Sequence, residues 1–148
     1  MIFDDVKKED LFIKGLVEYN NQNFYDAHEF WEELWSDYKL EESDLIQGLI
    51  QVSVGYYHLN NLNKKGSIGL FTKSLKKLDT YADSKLLPID IALIIQDAKK
   101  TLDWIKKNGG VVQTVALAGY LRDDISTELV SVEDLVDHID YMVKRIGI

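Results

Sequence analysis

The sequence predicts an all-α protein: a single-domain bundle of about five to seven helices around a central buried helix near 44–62. Three observations predict it. Apolar residues recur at helical spacing almost throughout, sustained period-two alternation between turn residues is missing, and the single proline, Pro88, leaves long stretches free of a breaker. A chain of 148 residues is about the size of one domain, so residues 1–148 are read as one unit.

A first helix from about Asp5 to Tyr19 presents Phe12, Ile13, Leu16 and Val17, and the polar run Asn20-Asn21-Gln22-Asn23 breaks it. The second, from about Phe24 to Tyr38, carries an apolar stripe that includes Ala27, Trp31, Leu34 and Trp35, with acids on the opposite side. After the acidic link Leu40-Glu41-Glu42, Ser43 is placed to cap the central helix. That helix, through Leu45 to Asn63, has no charged residue and threads Gln47, Gln51 and His58 through an apolar surface. A fourth helix from about Ser67 to Ala82 buries Ile68, Phe71, Leu75 and Leu78 and leaves its lysines wet. Pro88 suits the first turn of a fifth, continuing to Ile105 before Gly109 and Gly110 stop it. Residues 111–121 read equally as a short helix or an extended connector and are a candidate dimer contact. A last helix begins near Ser131, with Asp137, His138 and Asp140 on an exposed face. No internal repeat is clear, although two helix hairpins in succession resemble a helical-repeat unit.

A formal charge of −8 and a pI near 4.8 argue against a nucleic-acid partner, because phosphate binding rests on Lys and Arg. The cluster Lys64, Lys65, Lys73, Lys76 and Lys77 is the local exception and reads as a solvated helix face. With no cysteine there are no disulfides, thiolate zinc sites or cysteine nucleophiles, so any metal needs His and carboxylate ligands. The opening MIFDDVKKED has acids where a signal peptide has a basic region, so the expected location is cytoplasmic. The polar residues of the uncharged central helix would be costly in hydrocarbon, so no membrane partner is expected.

The candidate site comes from the second and third helices. His28 and Glu32 stand four residues apart on one side of the second, and at about 100° per residue Gln47, Gln51, Gly55 and His58 share a stripe of the third. A short link makes these helices antiparallel neighbours, which places Glu32 near Gln51 and His28 near Gly55 and His58, with Gly48 and Gly55 permitting close approach on that side. Two histidines and a carboxylate, His28, His58 and Glu32, form a competent ligand set for a divalent zinc, iron or manganese ion. Gln51 and Gln47 would orient a small ligand, Trp35 would flank it, and Glu29 could act as base. The same groups can instead form a metal-free hydrogen-bond network that sets the hairpin register.

Known enzyme motifs fail. HExxE lacks the second histidine of HExxH, neither helix carries the ExxH of ferritin-like di-iron proteins, and no serine has a GxSxG setting.

The pattern Phe24, Ala27-His28-Glu29, Glu32 and Trp35, followed by Gln47-Gly48-Leu49-Ile50-Gln51, Tyr57-His58, Asn63 and Gly66, resembles an uncharacterised helical family of bacteria and archaea, domain-of-unknown-function family three hundred and nine. The resemblance spans about Leu11 to Leu78, leaving the helices of 88–148 to pack on that core. Leu62 stands where the family often has Gly and Ser67 where Ala is usual. The resemblance implies an all-helical cytosolic protein with His28, Glu32, Gln51 and His58 among its motif positions, and it supplies no activity. Two readings follow: a metal-dependent or ligand-binding module with a cleft between the second and third helices, or a non-enzymatic interaction or scaffold domain whose polar stripe is satisfied internally.

Overall fold

The computed structural model describes residues 3–121, with side chains described through Lys107; the helix expected from Ser131 and the His138 face lie outside these residues. Among the described residues the chain is helical without a strand, as predicted: α1 (Val6–Asn20), α2 (Phe24–Asp37), α3 (Ser43–Asn60), α4 (Lys64–Leu78) and α5 (Ile91–Leu121), with a 3₁₀ turn at Asp79–Tyr81. Each helix packs on the next in sequence. Short links at 21–23, 38–42 and 61–63 make α1 to α4 sequential neighbours.

Local chemistry explains the boundaries. Asp5 caps α1, its carboxylate accepting from the Lys7 N–H at 2.7 Å. Ser43 does not cap α3: the N-cap is Glu42, with no side-chain bond, and Ser43 is already the first helical residue. Pro88 does not open α5 either. Asp90 is the cap, its carboxylate accepting from the Leu93 N–H at 2.9 Å and its carbonyl from the Ile94 N–H at 3.2 Å. Gly109 and Gly110 do not stop α5, whose helical backbone continues through 111–121. A mid-helix glycine costs only about 1 kcal/mol, and a stop also needs a following residue that turns the chain away, which the Val- and Ala-rich run does not provide. Two residues expected to face inward do not: Val17 is 49% exposed and Trp35 is 36% exposed. Gly15 and Tyr19 fill the inner face of α1 instead.

The hairpins α1–α2 and α3–α4 repeat one another at an offset of forty residues, a relation the sequence hinted at without resolving. Their corners are Asn20-Asn21-Gln22-Asn23 and Asn60-Asn61-Leu62-Asn63. Gln22 (φ 63°) and Leu62 (φ 58°) both take the left-handed conformation. In the first corner the Asn23 N–H donates to the Glu18 carbonyl at 2.8 Å and the Gln22 N–H to Tyr19 at 2.9 Å. In the second, Asn63 donates to His58 at 2.8 Å and Leu62 to Leu59 at 2.9 Å. Both are Schellman closures, which satisfy carbonyls left open at a helix end.

Packing repeats with the same offset. Gly15 lies against the Trp31 indole and Gly55 against the Phe71 ring; a Cβ on Gly15 would come within 2.2 Å of Trp31 Nε1. Gly48 and Gly55 therefore serve the α3–α4 contact, where Gly48 meets Leu78, and not the expected approach of α3 to α2. The expectation failed because α3 is buried on more than one side, so its pattern did not say which partner each glycine faced.

An aromatic path joins the first four helices. Phe12 lies 6.4 Å from Trp31, Trp31 5.8 Å from Tyr19, Tyr19 5.5 Å from Phe24, Phe24 4.9 Å from Tyr56, and Tyr56 4.8 Å from Phe71, centroid to centroid. Such rings contribute beyond their buried area when their edges and faces alternate. Trp31, fully buried, donates its indole N–H to the Phe12 carbonyl at 3.1 Å. Ile94, Ala98 and Ile105 of α5 join the same core. Among the described residues no helix is long and apolar enough to cross a membrane.

Candidate functional site

The start of α2 lies against the end of α3 through Phe24 on Tyr56 and Tyr25 on Tyr57, the latter pair 5.2 Å apart, so the two helices are antiparallel neighbours as predicted. The rings of Tyr25 and Tyr57 stand in a chain of contacts between the two histidines: Tyr25 is 5.0 Å from His28, and Tyr57 is 5.9 Å from His58.

Each histidine spends its bonds locally. His28 Nδ1 lies 2.6 Å from the Tyr25 carbonyl, which can only accept, so this nitrogen carries the proton. Its Nε2 is 3.3 Å from Glu32 Oε2, one turn further along the same helix. His58 belongs to the α3–α4 corner. Asn63 Oδ1 accepts from the Gly66 N–H at 3.0 Å, which turns Asn63 Nδ2 toward His58 Nδ1 at 3.3 Å. The amide donates there, so neutral His58 uses its Nδ1 lone pair and holds its proton on Nε2. His58 also packs over α4, since a Cβ on Gly66 would come within 3.0 Å of its Cδ2.

The expected trio of His28, Glu32 and His58 is thus divided between two local arrangements. Among the described residues no group of three or more His, Asp or Glu side chains is gathered to hold a metal ion. The physical reason is the corner: the Schellman closure and the Asn63 cap draw His58 toward α4 and away from Glu32. Gln51 Oε1 is buried without a partner, so Glu32 is not bonded to it. Gln47 is half-buried, and Trp35 stands at the surface. The depression beside His28, about 450 Å³, is lined by His28, Glu29, Phe30, Glu32 and Glu33, all from α2, and does not take the form of a cleft shared with α3.

The model of a domain of unknown function, DUF309, matches residues 12–70. Over that segment the chain is similar to the DUF309 family. The match covers both hairpin corners and the His28, Glu32, Gln51 and His58 positions, while α5 lies beyond it. No curated protein matches the chain.

Outside the DUF309 motif residues, a second buried polar group was missed by sequence reasoning. Asp97 (4% exposed) and Thr101 of α5 lie in the core with Tyr19 and Tyr56. Burial pushes both phenols above the ordinary tyrosine value, and the Asp97 carboxylate adds to the shift. The Tyr56 hydroxyl and Thr101 Oγ1 are buried and make no well-formed hydrogen bond, although Thr101 lies close enough to Tyr56 to oppose the upward shift. A signal for this group was present: Asp97 and Thr101, four residues apart, interrupt the apolar run Ile94, Ile95, Ala98, Leu102 and Ile105.

Proposed function

We propose that this protein is a non-enzymatic helical interaction module, in which the His, Glu and Asn side chains of the DUF309 segment hold the hairpins in shape. One observation carries the reading: His58 spends its Nδ1 lone pair on the Asn63 amide of its own corner, which leaves His28 and Glu32 of α2 without a third ligand among the described residues. A ligand-binding histidine needs a free lone pair and partners converging on one point, and a pair such as His28 with Glu32 is one ligand short of a three-ligand metal site. The repeated hairpins support the same reading, because stacked helical hairpins bury one face against their neighbours and present another to a partner.

The test is elemental analysis of untagged protein together with a His28→Ala variant. The expected result is no stoichiometric metal in either protein. The variant should melt slightly lower, the loss corresponding to roughly 0–1 kcal/mol because Glu32 is mostly exposed. A stoichiometric metal that disappears in His28→Ala would overturn the reading in favour of a metal centre.

A further inference from the structure

The two equivalent helices of the repeated hairpins carry opposite charge. The α2 sequence FYDAHEFWEELWSD has five acids and no Lys or Arg, whereas the α4 sequence KKGSIGLFTKSLKKL has five lysines and no Asp or Glu. Two of the five acids stand at positions matched by lysines, Glu33 forty residues before Lys73 and Asp37 forty before Lys77. Among the described residues, only Glu32 of the α2 acids has an ionic partner, His28, and only Lys77 of the α4 lysines has one, Asp44 at 3.8 Å.

A second observation, independent of charge, lies in the middle of the lysine face. Gly69 is exposed, and a Cβ placed there would meet nothing within 4 Å. Gly15, Gly48 and Gly55 each have a ring or a leucine pressed against them. Gly69 carries the usual helix penalty of a glycine, with no contact among the described residues to explain it. It forms a notch between Lys65 and Lys73, one turn away on either side. At the equivalent place on α2, Glu29 follows Tyr25, which is 47% exposed, and the Tyr25 hydroxyl donates to Glu29.

We propose that the acidic outer face of α2 in one copy of this protein docks on the lysine face of α4 in a second copy, with a ring of α2 entering the notch at Gly69. The inference rests on the reading of the protein as an interaction module and names its partner. A single contact between two helices of this length is well below the roughly 1,000 Å² of a specific interface, so twofold closure, in which each copy offers both faces, is the arrangement that reaches it. Two chains of charge −8 repel at a distance, and docking brings the opposite faces together. The association is therefore weak and sensitive to salt.

Sedimentation equilibrium at low and high salt tests this on four samples: the natural chain, Glu29→Lys with Glu33→Lys, Lys73→Glu with Lys76→Glu, and an equimolar mixture of the two double variants. All four substituted positions are exposed, and circular dichroism checks that each variant folds. The natural chain should dimerise at low salt and dissociate at high salt, and each double variant should remain monomeric. The mixture should dimerise again, because one partner is basic on both faces and the other acidic on both. Gly69→Leu should weaken the dimer without lowering the melting temperature. A natural chain that stays monomeric at low salt, or a dimer that survives both charge reversals, would overturn the proposal. Metal content of the same samples keeps the two readings apart: a metal-free monomer removes the self-docking alone, and a stoichiometric metal removes the interaction-module reading whatever the oligomeric state.

Discussion

Tyr56 is fully buried and its hydroxyl makes no well-formed hydrogen bond, with only Thr101 close by, which makes it a residue whose polar atom works against the fold. A buried hydroxyl without a partner costs on the order of 1–3 kcal/mol, so Tyr56→Phe should melt at the same temperature as the natural chain or higher at neutral pH. Thermal unfolding followed by circular dichroism reads this directly. The sign at high pH follows from linkage. Burial raises the folded phenol above the ordinary value of 10.0, so the stability linked to it is complete below that pH. It is lost as the pH rises further, because the unfolded phenol ionises while the folded one cannot. The loss approaches about 1.4 kcal/mol per pH unit for each such phenol. Tyr19 and Tyr56 both contribute, and Tyr56→Phe should remove one of the two slopes, shifting alkaline unfolding to higher pH.

Helix glycines show how the same residue type acts oppositely in different elements. In α1, Gly15 admits the indole of Trp31, and an added methyl has nowhere to go because Trp31 is fully enclosed and bonded to the Phe12 carbonyl. Gly15→Ala should destabilise the protein by about 1–3 kcal/mol through overpacking. In α4, Gly69 meets nothing among the described residues, so Gly69→Ala should gain up to about 1 kcal/mol of helix propensity. Urea unfolding of the two variants beside the natural chain checks both signs in one experiment. At the corners, Gln22 and Leu62 hold a conformation that L-residues adopt at some cost, and the closures at Glu18 and His58 hold them there.

Across the whole molecule, 25 acids against 17 bases leave a net repulsion that opposes compactness. Salt screens such charges over about 10 Å at 0.1 M, so the melting temperature of dilute protein should rise as ionic strength increases from low values. Differential scanning fluorimetry across a salt series measures it. The same series should weaken the proposed docking of α2 on α4, so stability and self-association are expected to respond to salt in opposite directions. The aromatic path from Phe12 to Phe71 crosses four helices, which makes the core one connected body among the described residues.

Helix identity was legible because the apolar period of α1 to α4 is strong and the asparagine runs at 20–23 and 60–63 mark two corners. The residues of the candidate site were also legible as types and positions, and the DUF309 match covers them. Their grouping was not, because a helical period tells which residues share a face and not which neighbour that face meets. His28, Glu32 and His58 could be placed on adjacent helices from sequence, yet a backbone corner and one asparagine amide decided that His58 turns to α4. The continuation of α5 past Gly109 depended on an energy difference too small for a sequence rule to decide. The sequence by itself determined an acidic, cysteine-free, all-helical chain with opposite charges on its second and fourth helices. Only the tertiary structure decided that those helices are equivalent members of a repeat and that the histidines close their own hairpins, because both facts depend on contacts between residues far apart in the chain.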